Sequence, residues 1–174
     1  MLLNHTSPQK INTIDPIFSD YFQGCLFFSQ EIYITTCSSI VHHYTIEVNE
    51  DQVIHVSDLN PSNEIIEDLR ADVDSLFDIE LDDDSIISLI TEEEDLDDII
   101  EYYFEDQGRN LFDFGYENFG ELSWIIQGYQ GKTAQHMNFL ACESEDEQGA
   151  VWIINLVNKE NLLTYMGKLN ERTN

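Results

Sequence analysis

Short β-patterned runs near both ends, a long stretch of helical spacing between them and enough apolar bulk for one core together predict an α+β fold. Of 174 residues, 42% are hydrophobic, including ten Phe, eight Tyr and two Trp. A chain of this length removes roughly two-thirds of its unfolded surface from water in one domain and is too short for two ordinary ones. A single core is therefore expected.

Leu2, Leu3 and His5 read as a short first strand, and Ser7, Pro8, Asp15 and Pro16 then mark a turn-rich surface crossing. Gly24 to Ser29 is a brief apolar run. Residues 41–48 alternate, with His42, Tyr44, Ile46 and Val48 on one face and His43, Thr45 and Glu47 on the other, which predicts a half-buried strand. Residues 53–56 are expected to continue it after an Asn49-Glu50-Asp51 turn.

Residues 64–106 hold nineteen acids and one base, Arg70, yet their apolar residues keep helical spacing: Ile65, Ile66, Leu69, Val73 and Leu76, then Ile86, Ile87 and Leu89, then Leu96, Ile99, Ile100 and Tyr103. Two or three helices with wet acidic faces are expected. Pro61-Ser62-Asn63 supplies cap chemistry for the first, and Asp82 to Asp84 an acidic first turn for the second. Residues 108–120 read as a glycine- and aromatic-rich loop. A helix is expected over 121–137, with Ser123 as a cap and Trp124, Ile125, Tyr129 and Thr133 on its buried side. Residues 139–143 and 150–157 read as paired strands joined by the polar turn at 144–149, and 161–169 as a final short helix.

Seven basic residues against 35 acids give a net charge of −28. Such a field repels phosphate backbones and anionic membrane surfaces, so direct nucleic-acid or membrane binding is not expected, and a basic partner is. Cys25, Cys37 and Cys142 form an odd set without a Cys-x-x-Cys pair, which argues against a disulfide framework or a zinc knuckle and fits a reducing cytosol. The first ten residues lack an apolar signal core, and the longest apolar stretch, near 150–157, is far below a bilayer span.

Several common sites lack their physical requirements. There is no Gly-x-Gly-x-x-Gly, and Gly115 and Gly120 have P-loop spacing without a following Lys-Ser or Lys-Thr. His42 and His43 are neighbours on a strand, so they point to opposite faces and cannot jointly chelate a metal; no metal site is expected.

Three features remain. They are His5-Thr6-Ser7 at the end of the first strand, the run from Gly24 to Phe28, and a carboxy-terminal unit: Ser123-Trp124-Ile125-Ile126-Gln127, an aromatic-started strand, Glu143-x-Glu145-Asp146-Glu147-x-Gly149, and a second strand near Trp152. In this order they resemble the ADP-ribosyltransferases, and within them the small phage anti-CRISPR ADP-ribosyltransferases that modify the Cascade surveillance complex. The best-matching stretch runs from Ser123 to Ile154; the amino-terminal match is looser, since the family opens with His-Gly-Ser or His-Gly-Thr.

The resemblance implies a split mixed sheet with flanking helices, spanning residues 1–174 as one domain, with 60–106 as an acidic helical insertion that has no counterpart in the family. It also implies NAD as the cofactor, a catalytic carboxylate at Asp146 with Glu145 and Glu147 as close competitors, and cofactor contacts from His5, Thr6, Ser7, Gly24, Phe27, Phe28 and Tyr33. His5 would meet the adenosine ribose, backbone near Gly24 the nicotinamide amide, and Phe27, Phe28 or Tyr33 the nicotinamide ring. No arginine stands on the first strand, which favours the histidine-type branch. The function implied is a phage-encoded, NAD-dependent protein ADP-ribosyltransferase that inactivates a basic host defence protein, the Cascade complex among the candidates, in the bacterial cytosol. The charge alone supports a rival reading, a non-enzymatic acidic DNA mimic or nuclease immunity protein.

Overall fold

The computed structural model describes residues 1–14, 23–34, 40–109, 116–146 and 149–170. Its strands are β1 (Leu2–Ser7), β2 (Cys25–Phe28), β3 (Ile40–Glu47), β4 (Val53–His55), β5 (Ala141–Asp146), β6 (Gly149–Asn155) and β7 (Thr164–Asn170). Its helices are α1 (Asn63–Phe77), α2 (Asp83–Thr91), α3 (Leu96–Asp106) and α4 (Tyr116–His136).

The strands form two sheets, one ordered β1-β3-β7 and the other β2-β6-β5-β4. Among the described strands only β4 and β5 pair in parallel, so the second sheet is mixed. The edges β1 and β2 meet at a single bridge, Asn4 to Ser29, with Asn4 N–H donating to Ser29 at 2.7 Å and Ser29 N–H returning to Asn4 at 3.0 Å. Between the sheets lies a small core of Leu3, Ile46, Val48, Phe28, Trp152, Ile154, Ala141 and Leu156.

The other face of the four-stranded sheet is covered by the helices. Cys25, Ile54, Cys142 and Ile153 share one core with Ile65, Leu69, Val73, Ile86, Ile90, Ile100 and Phe104 of α1 to α3 and with Leu122, Ile126 and Tyr129 of α4. The acidic segment is thus built into the larger core. Each fully buried Ile, Leu or Phe there stabilises the fold by roughly 1.5–3 kcal/mol relative to exposure. Its acids remain at the surface, where Ser62 caps α1 through the Ile65 N–H, as the sequence suggested, and Asp82, expected in the first turn of α2, caps that helix through the Ser85 N–H.

Five expectations need correction. First, β4 does not continue β3: a 3-10 turn at Glu50–Gln52 carries the chain into the other sheet, beside β5. Second, β3 is buried on both faces, because it is the central strand of its sheet; His42, His43 and Thr45 are covered as well as Tyr44 and Ile46. Third, α4 begins at Tyr116, so Ser123 is inside the helix and caps nothing, and Trp124 is 47% exposed. Fourth, β5 and β6 run on to Asp146 and Gly149, into the stretch expected to be the turn. Fifth, the last element is a strand: Thr164, Tyr165 and Leu169 pair with β3, and Gly167 supplies a backbone φ of +121° that a side chain would resist. Asp15, Pro16 and Cys37 lie outside the described residues.

Candidate functional site

Beyond the Asn4–Ser29 bridge the two sheets part, and His5 occupies the opening. Its Nδ1–H donates to the Phe27 carbonyl at 2.8 Å, a bond that stands in for the main-chain pairing β1 and β2 do not make. A carbonyl only accepts, so the proton must sit on Nδ1, and Nε2 of the neutral ring is left as an acceptor. The imidazole packs on Phe28 and Tyr44, with ring centroids 5.4 and 6.4 Å away. Burial holds its pKa below the ordinary 6.5, and the bond to Phe27 opposes this only in part.

The segment after β2 is strapped along β1. Asn4 Nδ2 donates to Gln30 at 2.7 Å, and Thr6 Oγ1 donates to the Tyr33 carbonyl at 2.6 Å. Asn4 Oδ1 is in turn held by His43 Nε2–H at 2.9 Å. Ser7 Oγ caps its own turn by accepting from Gln9 N–H at 3.2 Å. His5, Thr6, Phe27, Phe28 and Tyr33 are therefore brought together, although 22 to 27 residues separate the pairs that bond.

Within that group the aromatic rings differ. Phe28 is buried beneath His5 and supports it. Phe27 lies on the other face of β2, edge-on to Trp124 of α4 at 6.0 Å, and Tyr33 is 40% exposed. Gly24 sits at the far end of β2, about 10 Å along the strand from Phe27. It is glycine for a local reason: φ is +82°, and a Cβ there would fall 2.1 Å from Val157 Cγ2.

Phe28 pairs with Trp152, and Trp152 with Glu143, so these three form a row across β2, β6 and β5 that starts under His5. The Trp152 indole N–H is buried and has no partner among the described residues. Glu145 pairs with Ala150 and is exposed, and Asp146 ends β5 opposite Gly149. Glu147 lies outside the described residues. Half-buried Glu143 stood in the sequence motif but not among the expected site residues, although its two-residue spacing from Glu145 was the available signal that both share a face.

A hollow of about 360 Å³ opens where β5, α4 and the α2–α3 turn meet, and Glu145 lines it with Glu92, Ser123, Gln127 and Gln130. Three residues of the Ser123–Gln127 motif, Ser123, Ile126 and Gln127, thus face the same space as Glu145. Ser144 Oγ and Gln130 Nε2 both donate to Glu92 Oε1, at 2.8 and 2.9 Å, which ties the turn after α2 to β5. The buried thiols play no such part: burial pushes Cys25 up to about 12 and Cys142 further, so neither supplies a thiolate. Among the described residues no group of His, Cys, Asp and Glu is arranged to hold a metal ion, and no helix is long and apolar enough to cross a membrane.

Residues 3–162 match a family model described as Anti-CRISPR Type I-F ADP-ribosyltransferase AcrIF11. Among solved structures the chain is similar to one described as the crystal structure of an anti-CRISPR protein, at 18% identity and a TM-score of 0.44, over 97% of this chain and 95% of that one. No curated protein matched.

Proposed function

Because this chain belongs to the Anti-CRISPR Type I-F ADP-ribosyltransferase family, we propose that NAD lies against His5 at the split between β1 and β2. Membership makes the chain an NAD-dependent mono-ADP-ribosyltransferase directed at a host defence protein. The observation that supports this reading is the neutral imidazole fixed at the parting of the sheets, whose Nε2 receives no hydrogen bond from the described residues and can accept one from a sugar hydroxyl.

The residues present fit a dinucleotide. An acceptor on His5, an indole N–H on Trp152 without a partner among the described residues and the half-exposed ring of Tyr33 offer the mixture of aromatic surface and few polar groups that such a ligand needs, while Phe27, on the other face of β2, packs on Trp124 instead. Thr6 and Ser7 add hydroxyls beside His5, and main chain near Gly24 is the proposed grip on the nicotinamide amide. NAD supplies a glycosidic bond whose cleavage leaves positive charge on the ribose. A carboxylate fixed beside that sugar stabilises the charge where water is excluded. We assign this to Asp146, with Glu145 and Glu147 as competitors, and the remaining acids are available to take the proton of the acceptor side chain. The domain is proposed to be single over residues 1–174, with 60–106 as an addition to the family's frame.

The type I-F surveillance complex is the proposed target, since a nucleic-acid-binding assembly offers the basic surface that a chain of charge −28 seeks. Incubation of the purified complex with labelled NAD and this protein tests the reading. A labelled subunit should appear, and Asp146→Ala should slow labelling by about 10²-fold or more. Inhibition that persists at one-to-one stoichiometry without NAD, and survives Asp146→Ala, would instead support an acidic mimic.

A further inference from the structure

We infer that the hollow beside the α2–α3 turn receives a cationic side chain, lysine or arginine, from a basic segment of the protein being modified. This rests on the transferase reading and adds to it the kind of partner surface the enzyme holds.

Four carboxylates line the hollow, those of Glu92, Glu94, Asp95 and Glu145, and neither lysine nor arginine is among the lining residues. Acids alone would be an ordinary solvated surface. What singles this one out is Gln130. Its side chain is 1% exposed and lines the same hollow, its Nε2 donates to Ile90 O at 3.3 Å and Glu92 Oε1 at 2.9 Å, and its Oε1 has no donor among the described residues. A buried acceptor left without a donor is costly, and the Nε2 bonds fix which way the amide points. An ammonium brings three donors and a guanidinium five, each with the positive charge that four carboxylates favour.

The opposite side of the turn carries a second hollow, of about 530 Å³, that shares Glu92, Glu94 and Asp95 and adds Asp98, Tyr102 and Tyr103. Tyr102 is 70% exposed and stands edge-on to Tyr103, so its ring face is open to a cation. A peptide segment with more than one basic residue can therefore straddle the turn. Because Glu92 is bonded to Ser144, the docked segment would be tied directly to the strand that carries Glu145 and Asp146.

The test is binding of a six-arginine peptide to the full chain at about 150 mM salt, where charges more than about 8 Å apart are screened. Glu94→Gln with Asp95→Asn should weaken binding by about tenfold. Both residues are exposed, Asp95 at the start of α3 makes no side-chain cap bond, and Asn is as well tolerated there as Asp. Glu64→Gln with Glu67→Gln removes the same charge from the exposed face of α1 and should change binding by less than about twofold. The Gln130 side-chain amide signals should shift in nuclear magnetic resonance spectra as the peptide is added. Equal weakening by the two pairs, unmoved Gln130 signals or no binding at this salt would overturn the inference. Nicotinamide release from NAD by the unaltered protein, measured in parallel, tests the transferase reading separately: its absence would sink that reading and leave the peptide result standing.

Discussion

His5 is an acceptor by construction, since the Phe27 carbonyl claims its Nδ1–H and burial opposes its second proton. The same arrangement fixes a pH dependence. Below 6.5 an unfolded histidine takes up a proton that the folded ring refuses until its own lower pKa is reached. Stability is therefore whole above about 6.5, falls as the pH drops through that window, and is fully lost for this group below the folded pKa. Buried His43 acts in the same direction. Urea unfolding should show the wild type losing stability between pH 7 and the folded pKa, and His5→Gln should lose less. An unchanged pH slope in that variant would contradict the assignment. Little of this could be read from the chain, where His5 is a histidine before Thr-Ser and its partner stands 22 residues away. Glu143 and Trp152 stood in the carboxy-terminal motif, but their row with Phe28 was not readable, because it exists only once β2, β6 and β5 are in register.

Among the elements, α4 shows how a helix comes close enough to hold the site. Gly131 faces the sheet, and a Cβ there would sit 2.6 Å from Cys25 Sγ and 3.0 Å from Ile153 Cγ2. Gly120 on the same helix has open space around its would-be Cβ. Alanine gains up to about 1 kcal/mol of helix propensity at either position. At Gly131 overpacking, about 1–3 kcal/mol, should exceed the gain and lower the urea midpoint, whereas Gly120→Ala should raise it. A stabilising Gly131→Ala would mean that α4 does not rest on β2 and β6 as described. Helices α1 to α3 were legible because acids and apolar residues separate cleanly at a period of 3.6, with Ser62 and Asp82 as their caps. Strand β7 was not, since Leu162, Tyr165, Met166 and Leu169 mimic helical spacing and only pairing with β3 overrides it. The start of α4 was hidden by Gly120, a helix breaker in isolation that tertiary packing tolerates.

Across the whole molecule, one division of labour accounts for the charge. The apolar sides of α1 to α3 complete the core behind the four-stranded sheet, and their acids surround the hollow that Glu145 lines. The α+β class was readable from the two periods in the sequence, and the split sheet from the resemblance carried by His5-Thr6-Ser7, Gly24 to Phe28 and the carboxy-terminal unit. Where the two sheets part was not readable, because it depends on one bridge, Asn4 to Ser29, and one imidazole. The central claim is that NAD is held at that parting. Titration of NAD into the protein, followed through the imidazole resonances, tests it most directly. The His5 Nε2 signal should move and saturate with NAD while that of exposed His136 stays in place. A His5 signal unmoved at NAD concentrations that support nicotinamide release would contradict the account.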